Sequence, residues 1–173
     1  MKYFIAFFTA VLSFSSAFSQ GEGGAALPLV NLQTIDGEET SSEAIFNADG
    51  PIVISFWATW CKPCIKELNA IHDMYFDWQE ELNVKLYAIS IDDSRNSLRV
   101  QPFVNGRSWE YEVFLDPNSD FKRAMNVGNP PHTFVLNSNR EIVWQHAGYV
   151  PGDEYELYEV LEKVANGLPV DHE

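Results

Sequence analysis

The sequence is poor in cysteine and poor in positive charge. Its 173 residues include two cysteines, and 11 lysines and arginines stand against 25 aspartates and glutamates, for a formal net charge of −14. That balance excludes a nucleic-acid binder, because phosphate-binding surfaces need clustered Lys and Arg. The acidic residues are dispersed along the chain and read as a solvated surface. There is no second cysteine pair and no His-x-x-x-His, so a closed structural zinc site lacks ligands. A c-type haem attachment requires His directly after the second cysteine, and Ile65 stands there. No internal repeat is visible.

Long apolar runs are also missing. The longest, Tyr3 to Leu12, follows Met1-Lys2 and is interrupted by a Thr, well short of the roughly 20 residues of a comfortable membrane span. With the small and aromatic stretch that ends Ala17-Phe18-Ser19, it reads as a signal peptide over residues 1–19, cleaved after Ser19. The alternative is an uncleaved membrane anchor. No cysteine follows the segment to accept a lipid. Residues 20–26, glycine-rich, read as a flexible linker, and residues 27–173 as one domain. The overall 46% hydrophobic and 21% charged composition suits a single globular unit with a real core.

What is present is concentrated around Cys61 and Cys64. Closing so small a loop constrains the unfolded chain little, so stability is a poor reason for the bond. Reversible redox chemistry is a better one. Pro51 to Trp57 is a β-branched and aromatic run, the pattern of a buried strand. From Pro63, Ile65, Leu68, Ile71, Tyr75, Phe76 and Trp78 recur at helical spacing until Asn83. The cysteines therefore sit where a strand passes into a helix. There, unpaired amides and the helix dipole favour a thiolate on Cys61, the expected exposed nucleophile, with Cys64 as the enclosed resolving thiol. Pro63 is tolerated in the first turn, where its missing N–H has no partner to lose.

Further on, the pattern predicts strands over 84–91, 110–115, 132–136 and 141–146. Helices are predicted over 94–105, 118–126 and 153–165, with Pro102 able to kink or end the first. The alternation, plus an antiparallel hairpin, predicts a layered α/β fold with helices on both faces of a mixed sheet.

With Phe56-Trp57-Ala58-Thr59-Trp60-Cys61-Lys62-Pro63-Cys64-Ile65-Lys66-Glu67 and Val127-Gly128-Asn129-Pro130-Pro131-His132-Thr133-Phe134, the chain resembles the thioredoxin superfamily. It is most similar to the TlpA-like and ResA-like thiol–disulfide oxidoreductases of the bacterial envelope. The resemblance runs from about residue 27 to 167. It implies a thioredoxin-like fold with an N-terminal β extension and a strand–helix insertion, about 110–126, before the cis-proline strand. It also implies that Pro131 is cis and faces the cysteines, and that Trp60, Lys62, Pro63, Pro130 and His132 contact substrate. Where cytoplasmic thioredoxin carries a buried acid, this chain has Ser55. Glu67 instead matches the acid of the envelope branch and is expected to take and return the proton of Cys64, its pKa raised by burial; a solvent-exposed helix Glu is the alternative. Pro130 has no N–H to offer a substrate backbone.

The resemblance implies an exported, monomeric enzyme that reduces disulfides of envelope proteins, apocytochrome c among them, and is recharged by a membrane electron donor. It needs no cofactor or metal beyond its own disulfide. Two alternatives remain: a copper chaperone using Cys61, Cys64 and His132, and a peroxide reductase of the peroxiredoxin type. His72 and His146 have no partner at metal spacing and read as structural or exposed.

Overall fold

The computed structural model describes residues 25–170. The signal peptide expected over 1–19 lies outside them, as does most of the expected linker. In chain order the elements are β1 (Ala25–Ala26), β2 (Asn31–Thr34), β3 (Glu39–Ser41), α1 (Ser42–Ile45), β4 (Ile52–Trp57), α2 (Lys62–Leu82), β5 (Lys85–Ser90), α3 (Val100–Asn105), β6 (Glu112–Leu115), α4 (Asp120–Ala124), β7 (His132–Leu136), β8 (Glu141–Ala147) and α5 (Asp153–Ala165). The strands form one mixed sheet in the order β1-β8-β7-β4-β5-β6-β2-β3. The described fold includes the two residues before Leu27: Ala25 and Ala26 pair with Ile142 and Glu141 of β8 instead of belonging to a free linker.

All six residues of β4 are buried, because helices cover both faces of the central strands. One face carries Ile52, Ile54 and Phe56. Phe121 of α4 packs on Phe56 at 5.2 Å between ring centroids and on Phe46, just after α1, at 5.6 Å. The other face carries Val53, Ser55 and Trp57. There Trp57 meets Phe103 of α3 and Trp109 at 5.6 and 5.1 Å, and the Trp109 indole N–H donates to Asn69 of α2 at 3.0 Å. Helix α2 buries Cys64, Glu67, Leu68, Ile71, Tyr75 and Trp78, one stripe at helical spacing. It ends at Asn83 in the left-handed conformation, φ 54°.

Helix α3 is shorter than the expected 94–105. The carboxylate of Asp93 accepts from the backbone N–H of Arg95 and Asn96 and from the Asn96 amide. That side-chain turn competes with helix over residues 93–96, and a 3₁₀ turn, Ser97–Arg99, leads into the helix. Pro102 neither kinks nor ends α3, since it falls in its first turn. The insertion supplies β6, which pairs parallel to β5 and antiparallel to β2, and α4. The start of α4 is fixed by Asp116, whose carboxylate accepts from the N–H of Asp120, Phe121 and Lys122 at 2.8, 3.2 and 2.8 Å.

Candidate active site

The chain leaves β4 at Trp57 and turns through Ala58-Thr59-Trp60 before α2. Asp92, fully buried beyond the end of β5, holds this turn. Its carboxylate accepts from the Thr59 N–H at 2.8 Å, the Thr59 hydroxyl at 2.7 Å and the Ser90 hydroxyl at 2.9 Å. Cys61 is the residue that caps α2, and the Cys64 N–H donates to its sulfur at 3.3 Å. Cys61 and Cys64 form a disulfide, with Cα atoms 5.3 Å apart. An N–H at a helix N-terminus in this position favours negative charge on a Cys61 thiolate.

The expected contrast in exposure is small. Cys61 is 4% exposed and Cys64 is 0%, so Cys61 lies flush with the surface and differs from Cys64 more in its helix-capping position than in accessibility. Trp60 beside it is 63% exposed, and Lys62 and Pro63 are exposed as well.

One turn beyond Cys64, Glu67 points into the protein at 5% exposure. Its two carboxylate oxygens accept separate hydrogen bonds, Oε2 from the Ser55 hydroxyl at 3.1 Å and Oε1 from the Thr133 hydroxyl at 2.8 Å. Ser55 and Thr133 are direct partners across the antiparallel β4–β7 pair, so the register alone brings both hydroxyls to one carboxyl. Burial pushes the Glu67 carboxyl up from its ordinary 4.5 to about 7; the Thr133 and Ser55 hydrogen bonds oppose this, and the charge of Asp153 adds to it. The alternative of a solvent-exposed helix Glu is ruled out. Ser55, which looked like the loss of a proton acceptor, is one of the two residues that hold Glu67 in place.

The Pro130–Pro131 peptide is cis. Pro131 is buried, and its carbonyl accepts from the Gly148 N–H at 2.9 Å; Pro130 is half-buried. His132 is not gathered with the sulfurs. It pairs with Phe56 across the β4–β7 ladder, which puts it on the sheet face of α4, opposite that of Ser55, Thr133 and α2. Its ring stacks on Phe134 at 4.5 Å and its Nε2 lies 3.2 Å from the Gln145 side-chain oxygen. Burial lowers the His132 pKa. Among the described residues no three His, Cys, Asp or Glu side chains group at metal-holding distance, so Cys61, Cys64 and His132 do not form the trio that a copper chaperone would use.

Three residues of the site, Ser55, Thr133 and Asp92, were not among the sequence candidates. Thr133 lay inside a quoted motif, but its role depends on strand pairing. Asp92 acts across 33 positions of chain.

Residues 24–145 match the AhpC/TSA family. The chain is 30% identical over 137 residues to the thiol-disulfide oxidoreductase ResA of Oceanobacillus iheyensis, covering 78% of this chain and 70% of that protein. It is also 30% identical over 131 residues to the sporulation thiol-disulfide oxidoreductase A of Bacillus subtilis, covering 75% and 77%. The solution structure of a thioredoxin-like protein from Porphyromonas gingivalis superposes with a TM-score of 0.74 at 45% identity, over 87% of this chain and 98% of that one. The crystal structure of StoA from Bacillus subtilis does so with a TM-score of 0.61 at 25% identity, over 78% and 98%.

Proposed function

Because the chain belongs to the AhpC/TSA family, and within the thioredoxin superfamily is a ResA-like thiol–disulfide oxidoreductase, we propose that it works outside the cytoplasm as a reductase of protein disulfides, with Cys61 as nucleophile, Cys64 as resolving thiol and Glu67 as the proton acceptor for Cys64. The observation that carries this reading is the pairing of a helix-capping sulfur with a buried carboxyl one turn behind its partner cysteine.

The Cys61 thiolate attacks one sulfur of a client disulfide; the S–S bond breaks and the other client sulfur leaves as a thiolate. Cys64 then gives its proton to the Glu67 carboxylate and attacks the Cys61 sulfur. The second client thiolate departs, the client has gained two electrons, and the enzyme ends as a Cys61–Cys64 disulfide with Glu67 protonated. Trp60, Lys62 and Pro63 flank the cysteines in the chain and Pro130 precedes the cis proline; these are the residues against which a client is expected to lie. Pro130 offers a carbonyl but no N–H, so backbone pairing there is one hydrogen bond short.

The composition of residues 1–19 supports export, and among the described residues no helix is long and apolar enough to cross a membrane. Apocytochrome c belongs among the proposed clients, with a membrane thiol donor restoring the dithiol. The peroxide-reductase alternative has less support: a peroxiredoxin-type Thr-x-x-Cys would place Thr three residues before Cys61, where this chain has Ala58.

Trapping tests the proposal. In Cys64→Ser the mixed disulfide on Cys61 cannot resolve, and clients recovered from the cell envelope can be identified by mass spectrometry. A short set containing apocytochromes supports the reductase role, whereas a broad set of unrelated secreted proteins would replace it with a general oxidant or isomerase.

A further inference from the structure

Glu67 is buried, yet each catalytic cycle leaves one proton on it, and that proton must reach water. The sheet builds a polar row toward the surface. Ser55 pairs with Thr133 across β4–β7, and Thr133 pairs with His146 across β7–β8, so the three side chains lie side by side on the face covered by α2 and α5. Glu67 sits over the first two. Asp153, the first residue of α5, sits over the third, with its Oδ2 3.3 Å from His146 Nε2 and accepting the Val150 N–H at 2.8 Å. The His146 ring is stacked on Trp144 at 5.7 Å with 10° between planes.

Between these two carboxylates is a small crevice of about 10 Å³, lined among others by Glu67, Thr133, Trp144, His146, Tyr149 and Asp153. That is the room of one water, and Glu67, His146 and Asp153 are among the side chains that border it. The inner end is closed, with Glu67 5% exposed. The outer end is open, with the His146 and Asp153 side chains 36% and 21% exposed.

We propose that the His146–Asp153 pair is the exit by which the proton left on Glu67 reaches solvent, through one water in this crevice. The proposal rests on the reading of Glu67 as the Cys64 proton acceptor. Glu67–COOH gives its proton to the water as the water gives one to His146. The Asp153 carboxylate stabilises the imidazolium, which releases the proton to bulk and leaves Glu67 ionised for the next cycle. Imidazole suits the step because one ring nitrogen can accept a proton while the other holds one to give up.

The other titratable groups facing Glu67 are poorer carriers. Tyr111, in the segment before β6, donates to the Leu68 carbonyl at 3.2 Å, and Tyr149, after β8, donates to Glu154 of α5 at 2.9 Å. Burial and neighbouring carboxylates push both phenols above the usual tyrosine range, so they keep their protons. Burial works against ionisation of Glu154, but hydrogen bonds from backbone N–H groups and Tyr149 hold its carboxyl below the ordinary range; it stays ionised.

The test follows two signals after mixing the reduced full-length protein with 5,5′-dithiobis(2-nitrobenzoate) in dilute, weakly buffered solution, one pH unit above the Glu67 value of about 7. Release of the second thionitrobenzoate reports attack by Cys64, and an indicator dye reports arrival of the proton in bulk. In the wild type the two coincide. In His146→Ala and His146→Gln, thionitrobenzoate release keeps its rate while the proton signal lags by about tenfold or more, and added imidazole closes the lag in the alanine variant. Coincident signals in both variants without imidazole would overturn the exit. Glu67→Gln separates the two readings: slowed second release supports Glu67 as acceptor, and unslowed release removes that role and the exit with it.

Discussion

At the scale of single residues, Glu67 sets a stability that depends on pH. Its folded value of about 7 lies above the ordinary 4.5, so between those values the folded protein holds a proton that the unfolded chain has lost. The contribution of Glu67 to stability is therefore highest below about pH 4.5 and falls as pH rises through 7. The cost of the ionised buried carboxyl at alkaline pH is about 3 kcal/mol. Glu67→Gln keeps the shape and removes the charge, with an amide oxygen still able to accept from Ser55 or Thr133. The oxidised variant is expected to exceed the oxidised wild type by up to about 3 kcal/mol near pH 8 and by about nothing near pH 4 in urea unfolding. An equal gain at both pH values would mean that ionisation is not its source. The same substitution is expected to impair exchange, the familiar opposition of activity and stability at a buried charge.

At the scale of elements, the helix start matters more than the helix. Asp92 reaches from the end of β5 to both the N–H and the hydroxyl of Thr59, and so fixes the turn that places Cys61 at the cap of α2. Asp92→Ala leaves the half-buried Thr59 and the buried Ser90 groups without their acceptor and is expected to cost about 2 kcal/mol in denaturant unfolding of the oxidised form. A change within error would show that water replaces the carboxylate. The sequence made the strand–helix junction legible because the period switches from two to 3.6 beside the cysteines, and α5 was read with its true bounds, Asp153–Ala165. Helix α3 was overextended because Asp93 rewards a local turn that periodicity does not register. Glu67 was recognised from its place in a motif, but its ligands Ser55 and Thr133 were not. Their meeting is a matter of which residue of β7 faces which residue of β4, and one step of slip would turn Thr133 to the other face.

At the scale of the whole molecule, the net charge is −14, and the reactive edge bears the exposed Trp60, Lys62 and Pro63. The field of such a charge draws cationic clients and repels acidic ones. The rate constant for reducing a basic disulfide-bonded peptide at low substrate is expected to fall several-fold between about 10 and 150 mM salt, as the screening length shortens to about 8 Å, while a neutral peptide changes little. Identical salt responses would show that the client meets no net field at the sulfurs. The five tryptophans are placed unequally across the molecule: Trp57, Trp78 and Trp109 are buried, Trp144 is half-buried, and Trp60 is 63% exposed, one residue from the disulfide. Buried indoles emit at shorter wavelength and are shielded from collision, so the red edge of the emission, and the part that acrylamide can quench, belong mainly to Trp60. The protein thus carries its own optical gauge at the reacting edge, with a disulfide beside the indole dimming it and a client seated over it shielding it from the quencher.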